Sequence, residues 1–458
     1  MKVQLTVFKF FSLSAFLFNT SVFAMEGEDK NEHKNSVPQK KYASSAEWHS
    51  PKTILVHTPR TEQFFGVIHP DGALFQGTLD PIKGRKQHKK FLSHLENVEE
   101  AKVLQIRDVL LDKTRDKEGN IIEGKELEEL KTLASQFLIY DSSNCFGKEI
   151  KRSQKEYKKK VLEGLSPETL VDIIFMRPKV ILQATEKNTQ FSATYQTLPL
   201  MNLMFLRDHL ITTKEGIVLG RMNSPQRSIE TEVIKFTLNK LNIKIIHEMG
   251  KDCYLEGGDF FAADEVCFIG DGLRTTDKSI QELLNKKVFG TKQVIVVKDP
   301  WKNQDEMHLD TYFNIINPRL VVLSEWRIKG ITRDGKELMT TADIYELKED
   351  QYKCIQRNLK FYDYLKDNKY DVIPVSEKDQ GKYGVNFLTV APNKILAVDG
   401  VSADYKEILK NYGVDATWMN FSEITPAYGA AHCTTQPIER SPMNTPQSKP
   451  APDGRAGL

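Results

Sequence analysis

The chain has 458 residues, 40% hydrophobic and 28% charged, with 64 Lys and Arg against 62 Asp and Glu. This suits a globular protein with a sizeable core, as one large domain or two to three smaller ones. The net charge of +2 offers no bulk attraction to nucleic acid or to an anionic membrane, so neither is an expected partner.

The N-terminus reads MKVQLTVFKFFSLSAFLFNTSVFAM, with Lys2, an apolar core from Phe10 to Phe18, and Val22 and Ala24 at the small-residue positions before a cleavage point. That core is too short for a membrane span, which needs about 20 residues. Residues 1–24 therefore read as a signal peptide. The protein is expected to be exported, to the periplasm or outside the cell, without a stable membrane anchor after cleavage. An uncleaved anchor is the alternative. Residues 25–45 are polar and charged, as a flexible mature N-terminus would be.

From residue 46 to 440 short β-rich runs alternate with helical patterns. The strands are TILVHT, IVLGR, KIIHEM, EVCFIG, QVIVVKD, RLVVLSE, DVIPVS and KILAVDG; the helices include TEVIKFTLNKLN, SIQELLNKK and ADYKEILKNYG. Such alternation predicts an α/β fold. About 109–180 the chain is charged and helix-rich, which predicts a helical insertion with Ser166 as an N-cap and Pro167 at the first helical position. Residues 441–458 are rich in Pro and small polar residues and read as a disordered tail.

Five cysteines are scattered without a C-x-x-C pair, which disfavours a structural zinc site. GNIIEGKE nearly matches a phosphate-binding loop, but Glu126 stands where a hydroxyl must meet Mg²⁺ and no strand precedes it. No G-x-G-x-x-G follows a strand.

Four other stretches carry acids and bases beside tight punctuation: MNLMFLRDHL, MNSPQRSIET, LEGGDFF and MHLDTYFNI. Singly they are weak, since His308 and Asp310 alternate as on one side of a strand and Asp208 fits a salt bridge. With Cys433 they fit one chemistry. A thiol is weakly ionised at neutral pH and needs a cation beside it. His308 supplies a proton relay, and a carboxylate such as Glu256 orients it. Asp208 and Asp310 suit a planar cation with several N–H donors, and Arg227 and Arg274 suit a carboxylate at its far end.

The order and wording of these segments resemble arginine deiminase, of the guanidine-modifying superfamily that includes amidinotransferases and dimethylarginine hydrolases. NLMFLRD, SPQRSIET, LEGGD, GDGLRT, MHLDT, NFLTVAP and HCTTQPIER resemble family blocks in family order, across roughly residues 46–440. The resemblance implies a five-bladed α/β propeller and no metal or other cofactor. It implies Cys433 as nucleophile, His308 as general acid and base, Glu256 as its orienting acid, and Asp208 and Asp310 as the guanidinium-binding pair. It further implies Arg227 and Arg274 on the substrate carboxylate, with Asn202 and Phe205 lining the pocket. The implied substrate is free L-arginine, and homo-oligomerisation is left open. Two features depart from the pattern. Tyr428 stands five residues before the cysteine, where the family carries arginine, and the family is usually cytosolic. The competing readings are an amidinotransferase, a deiminase of another guanidine or of peptidyl-arginine, and an exported binding protein that has lost catalysis.

Overall fold

Five stretches of this chain repeat one local pattern: two antiparallel strands, a helical connection, and a third strand parallel to the second. The computed structural model describes residues 42–145, 148–186, 191–333 and 336–442. The expected signal peptide, most of the 25–45 segment and the tail beyond residue 442 lie outside the described residues.

The second unit pairs Leu210–Thr212 with Ile217–Leu219, passes through the helix Glu230–Lys240 and returns as Ile245–Glu248. The third uses Phe260–Ala263, Val266–Asp271, the helix Asp277–Lys286 and Gln293–Lys298. The fourth uses Phe313–Ile315, Leu320–Ser324 and Asp371–Val375. The fifth uses Leu388–Ala391, Lys394–Val398, the helix Ala403–Asn411 and Asp415–Met419. The first unit joins the two ends of the body: the late strand Gln436–Ser441 pairs antiparallel with Ser50–Val56, which runs through the helix Pro81–Asn97 to the parallel strand Lys102–Gln105.

Local sequence explains these elements. The central strands are β-branched runs buried along most of their length, as in QVIVVK, which a sheet covered on both faces requires. Helix starts are capped: Asp80 accepts from the N–H groups of Ile82 and Lys83, with Pro81 at the first position, and Ser402 accepts from Tyr405 N–H.

Two expectations need correction, and one element is additional. The ordered body begins by residue 42 rather than 46, because Ser44 N–H donates to Thr213 carbonyl at 3.0 Å and Arg440 N–H donates to Ala43 carbonyl at 3.2 Å. The insertion carries the expected helices, with Ser166 capping Pro167–Met176 through Thr169 N–H. It also contains a three-stranded sheet of Ile139–Asn144, Pro178–Ala184 and Phe191–Thr197, so it runs past residue 180. Lastly, a hairpin of Thr341–Lys348 and Gln351–Lys360 widens the third unit's sheet to five strands. Its turn residues Glu349 and Asp350 have φ of 50° and 65°. Tight hairpin turns with positive φ favour Asn or Gly, so Glu349 and Asp350 give no turn signal in the sequence.

Candidate active site

The five units share a second regularity. In each, a short buried turn immediately precedes the first strand, and each turn delivers one or two polar side chains to a common centre. The turn before Leu210 carries Asp208; that before Phe260 carries Glu256 and Asp259; that before Phe313 carries His308 and Asp310; that before Leu388 carries Asn386; that before Gln436 carries Cys433. Residues far apart in sequence meet because they occupy similar places in repeated units.

His308 is held from one side. Its Nε2 lies 2.8 Å from Glu256 Oε2, and its Nδ1 lies 3.7 Å from Asp208 Oδ1. The second Glu256 oxygen accepts from Asn223 N–H at 2.9 Å. Gly258 backs the ring: a Cβ there would sit 2.7 Å from His308 Nδ1, so no larger residue fits. Burial pulls the imidazole pKa down, but Asp208, Glu256 and Asp259 together outweigh it and raise it to about 9. His308 is therefore an imidazolium at neutral pH.

Cys433 sits among different partners. Its Sγ lies 3.4 Å from Asp310 Oδ2 and accepts from Asn386 Nδ2 at 3.1 Å, while Asn386 Oδ1 accepts from Cys433 N–H at 3.3 Å. Asp310 Oδ2 also meets His432 Nδ1 at 2.7 Å. Burial and the two carboxylates Asp310 and Asp208 push the thiol pKa well above its ordinary value. The resting nucleophile is a neutral thiol.

Between the two lies a narrow cleft of about 310 Å³ including its open mouth, lined by Asp208, His308, Cys433, Arg274, Phe205 and Tyr428 among others. Asp208 Oδ1, Asp310 Oδ1 and Arg274 Nε are buried without a hydrogen-bond partner. Buried polar atoms in that state are costly unless something completes them. Two carboxylate oxygens accept N–H donors, and a guanidine nitrogen donates to an anion. The unmet demand therefore matches a molecule with a cationic N–H face and an acidic group.

Asp208, Glu256 and His308 also offer three ligand atoms within 4.8 Å of one another. Glu256 is committed to His308 and Asn223, Asp208 Oδ2 accepts from Arg227 Nη1 at 2.6 Å, and the imidazole carries a proton. A metal ion there would have to displace that proton, so the trio reads as a charge relay.

The structure brings every sequence-predicted residue to this centre. Asn202, Phe205, Asp208, Arg227, Arg274, His308, Tyr428 and Cys433 line the cleft, and Glu256 and Asp310 stand directly behind it. Arg227 is heavily committed: Nη1 donates to Asp208, Nε to Glu230 at 3.0 Å and Nη2 to Asn202 carbonyl at 3.3 Å. Arg274 spends only Nη2, on Gln304 at 2.9 Å. One local expectation fails. His308 and Asp310 do not share a strand face, because residues 309–311 form a 3₁₀ turn. The turn sends His308 toward Glu256 and Asp310 toward Cys433.

Asn386, in NFLTVAP, is a site residue beyond those expected from the sequence; its signal there is an amide just before a buried strand. Asp259 is another: its Oδ1 accepts from Leu309 N–H at 2.9 Å and so fixes the peptide between His308 and Asp310. Burial raises the Asp259 pKa to about 7, against the pull of His308.

The arginine deiminase family model matches residues 71–440. The chain belongs to the arginine deiminase family. Among the arginine deiminase relatives, that of Halobacterium salinarum is 24% identical over 88% of this chain and 97% of its own length. That of Streptococcus sanguinis is 24% identical over 85% of this chain and 96% of its own. A solved structure of unliganded AgrE aligns with a TM-score of 0.50 at 14% identity, covering 85% of this chain and 39% of that one, a likeness of fold. In this arginine deiminase family member the five turns hold the acids, the histidine and the thiol at a single centre.

Proposed function

We propose that the chain hydrolyses the guanidinium group of free L-arginine, giving L-citrulline and ammonia through a covalent amidino intermediate on Cys433. The observation that carries this is the pair of unpartnered carboxylate oxygens, Asp208 Oδ1 and Asp310 Oδ1, beside a neutral thiol on one side and an imidazolium on the other.

The guanidinium donates N–H groups to those two oxygens. Its positive charge offsets the carboxylates that hold the thiol neutral, so Cys433 loses its proton to solvent as substrate binds. Sγ then bonds to the guanidino carbon. His308 passes a proton to one terminal nitrogen, the C–N bond breaks and ammonia leaves. The neutral imidazole next takes a proton from water, whose oxygen adds to the same carbon. Collapse breaks the C–S bond as the hydroxyl proton passes to the departing sulfur, which returns the neutral thiol and releases the ureido group. Glu256 keeps His308 oriented and charged, and Arg274 holds the substrate carboxylate.

Mass spectrometry of protein incubated with L-arginine tests this directly. Citrulline and an amidino adduct on Cys433 are expected. Absence of citrulline sinks the reading, and product formed only with an added amine would make the chain an amidinotransferase.

The five units are further proposed to close into a five-bladed propeller, supported by the pairing of Gln436–Ser441 with Ser50–Val56 that unites the two ends of the body. A crystal structure with the units in an open row would refute it. Export is proposed on residues 1–24 alone. Protein recovered from its native cells should begin at Met25, and an intact Met1 terminus in a soluble cytosolic fraction would count against it.

A further inference from the structure

A second and larger cavity adjoins the cleft. It encloses about 1140 Å³ including its open mouth, and it shares Tyr428 with the catalytic cleft. It is also lined by Asn386, whose amide touches Cys433 Sγ at 3.1 Å. The two spaces are thus separated by little more than one tyrosine and one asparagine.

The lining has a definite chemical character. Trp301, Trp326 and Tyr383 contribute aromatic surface, and Asp305, Glu306 and Glu377 contribute carboxylates; among the described residues no Lys or Arg lines the cavity. Glu306 is taken by Arg327 at 2.9 Å and by Gln380. Asp305 is hydrogen-bonded to Tyr428, and Glu377 is exposed at the mouth. Trp326 is 39% exposed, an unusual state for tryptophan in a wall. Trp301 is buried with its indole N–H unpartnered.

Aromatic faces beside carboxylates attract organic cations through the ring quadrupole and through charge together. The same wall already holds one guanidinium this way. Arg327 lies with its guanidinium carbon 3.7 Å from the Trp301 ring centre and 3.9 Å from that of Tyr312, paired to Asp299 and Glu306. Tyr428, the dividing residue, adopts φ of 67°, a conformation uncommon for an aromatic side chain and held here by tertiary contacts.

We propose that this chamber is a second binding site for an organic cation, and that its occupant is a second molecule of free arginine waiting behind Tyr428. This rests on the arginine reading of the catalytic cleft. The waiting molecule is held by its guanidinium against Trp326 and the carboxylate of Glu377, since Glu306 and Asp305 already have partners. Neutral citrulline lacks the charge that this site selects.

Calorimetric titration of the full chain carrying Cys433→Ala, with L-arginine and separately with L-citrulline, tests the proposal. Removing the thiol prevents turnover. Two arginine sites per chain are expected. Adding Trp326→Ala and Glu377→Gln, both at exposed positions, should weaken one of them at least tenfold and leave the other unchanged. Citrulline should not fill the weakened site. A single arginine site overturns the chamber and leaves the catalytic reading standing. No arginine binding overturns both. A second site that survives both substitutions, or that takes citrulline equally well, also refutes the assignment.

Discussion

The two walls of the catalytic cleft are built from the same kind of turn yet carry opposite electrostatic states. On the histidine wall, Glu256 and Asp208 flank an imidazole and hold it charged, with Arg227 balancing the outer oxygen of Asp208. On the thiol wall, Asp310 flanks a sulfur and, with burial and Asp208, holds it neutral, while Asn386 donates to the sulfur and His432 pairs with Asp310. A carboxylate stabilises a neighbouring cation and destabilises a neighbouring anion. The proton donor is therefore ready in the free enzyme, and the nucleophile waits for a cation. That cation is the proposed substrate.

The comparison breaks most completely at the sulfur. Cys433→Ala should lower turnover by at least about 10⁴-fold, as removal of a covalent nucleophile does, while thermal unfolding stays cooperative. Turnover near wild type in this variant would remove Cys433 from the mechanism.

Arg274→Ala addresses the far end of the substrate. Losing a charge-assisted contact costs about 1.5–3 kcal/mol, roughly one to two decades in kcat/KM. Agmatine, without the carboxylate, should be poor for the wild type, and equal rates for agmatine and arginine would refute the clamp. Arg227→Ala should also weaken arginine strongly, and it additionally frees Asp208 Oδ2, so it should disturb His308 as well.

The histidine wall is sharpened by pH. His308 is a cation below about 9 and is needed as an acid, so kcat at saturating arginine, where the bound cation has already ionised the thiol, should fall as pH rises through that value. Glu256→Gln removes an anion and a hydrogen-bond acceptor that raise this pKa, which should move the falling limb to lower pH by about one unit. An unmoved limb would assign it to another group.

The thiol wall gives a smaller effect. Alkylation of Cys433 by iodoacetamide should keep accelerating beyond pH 9, because burial and the carboxylates of Asp310 and Asp208 push the free thiol well above the ordinary thiol range. Tyr428→Arg places a cation near the sulfur and should shift that profile to lower pH. Superimposable profiles would show that position 428 does not tune the nucleophile. At the small end, Cys354→Ala and Cys145→Ala should leave activity within about twofold, since neither lines the cleft.

The acids, the histidine and the thiol were legible in the sequence because polar residues with tight Gly and Pro punctuation stand out from an apolar β-rich body. LEGGD shows the physical reason: Gly258 leaves room for the His308 ring. The β-strands were legible for the same kind of reason, since buried parallel strands are continuous runs of Val and Ile. The sequence could not decide direction. Whether His308 and Asp310 point the same way depends on a 3₁₀ turn that Asp259 pins through Leu309 N–H, and Asp259 lies 50 residues away from that peptide. Nor could it show that Asn386 touches the sulfur, that Arg227 is committed within a buried ion-pair network, or that Tyr428 divides two cavities. Local propensity and spacing are properties of neighbours along the chain. Charge state and cavity shape here arise between turns contributed by five separate units, and only the folded arrangement brings those turns within hydrogen-bond distance.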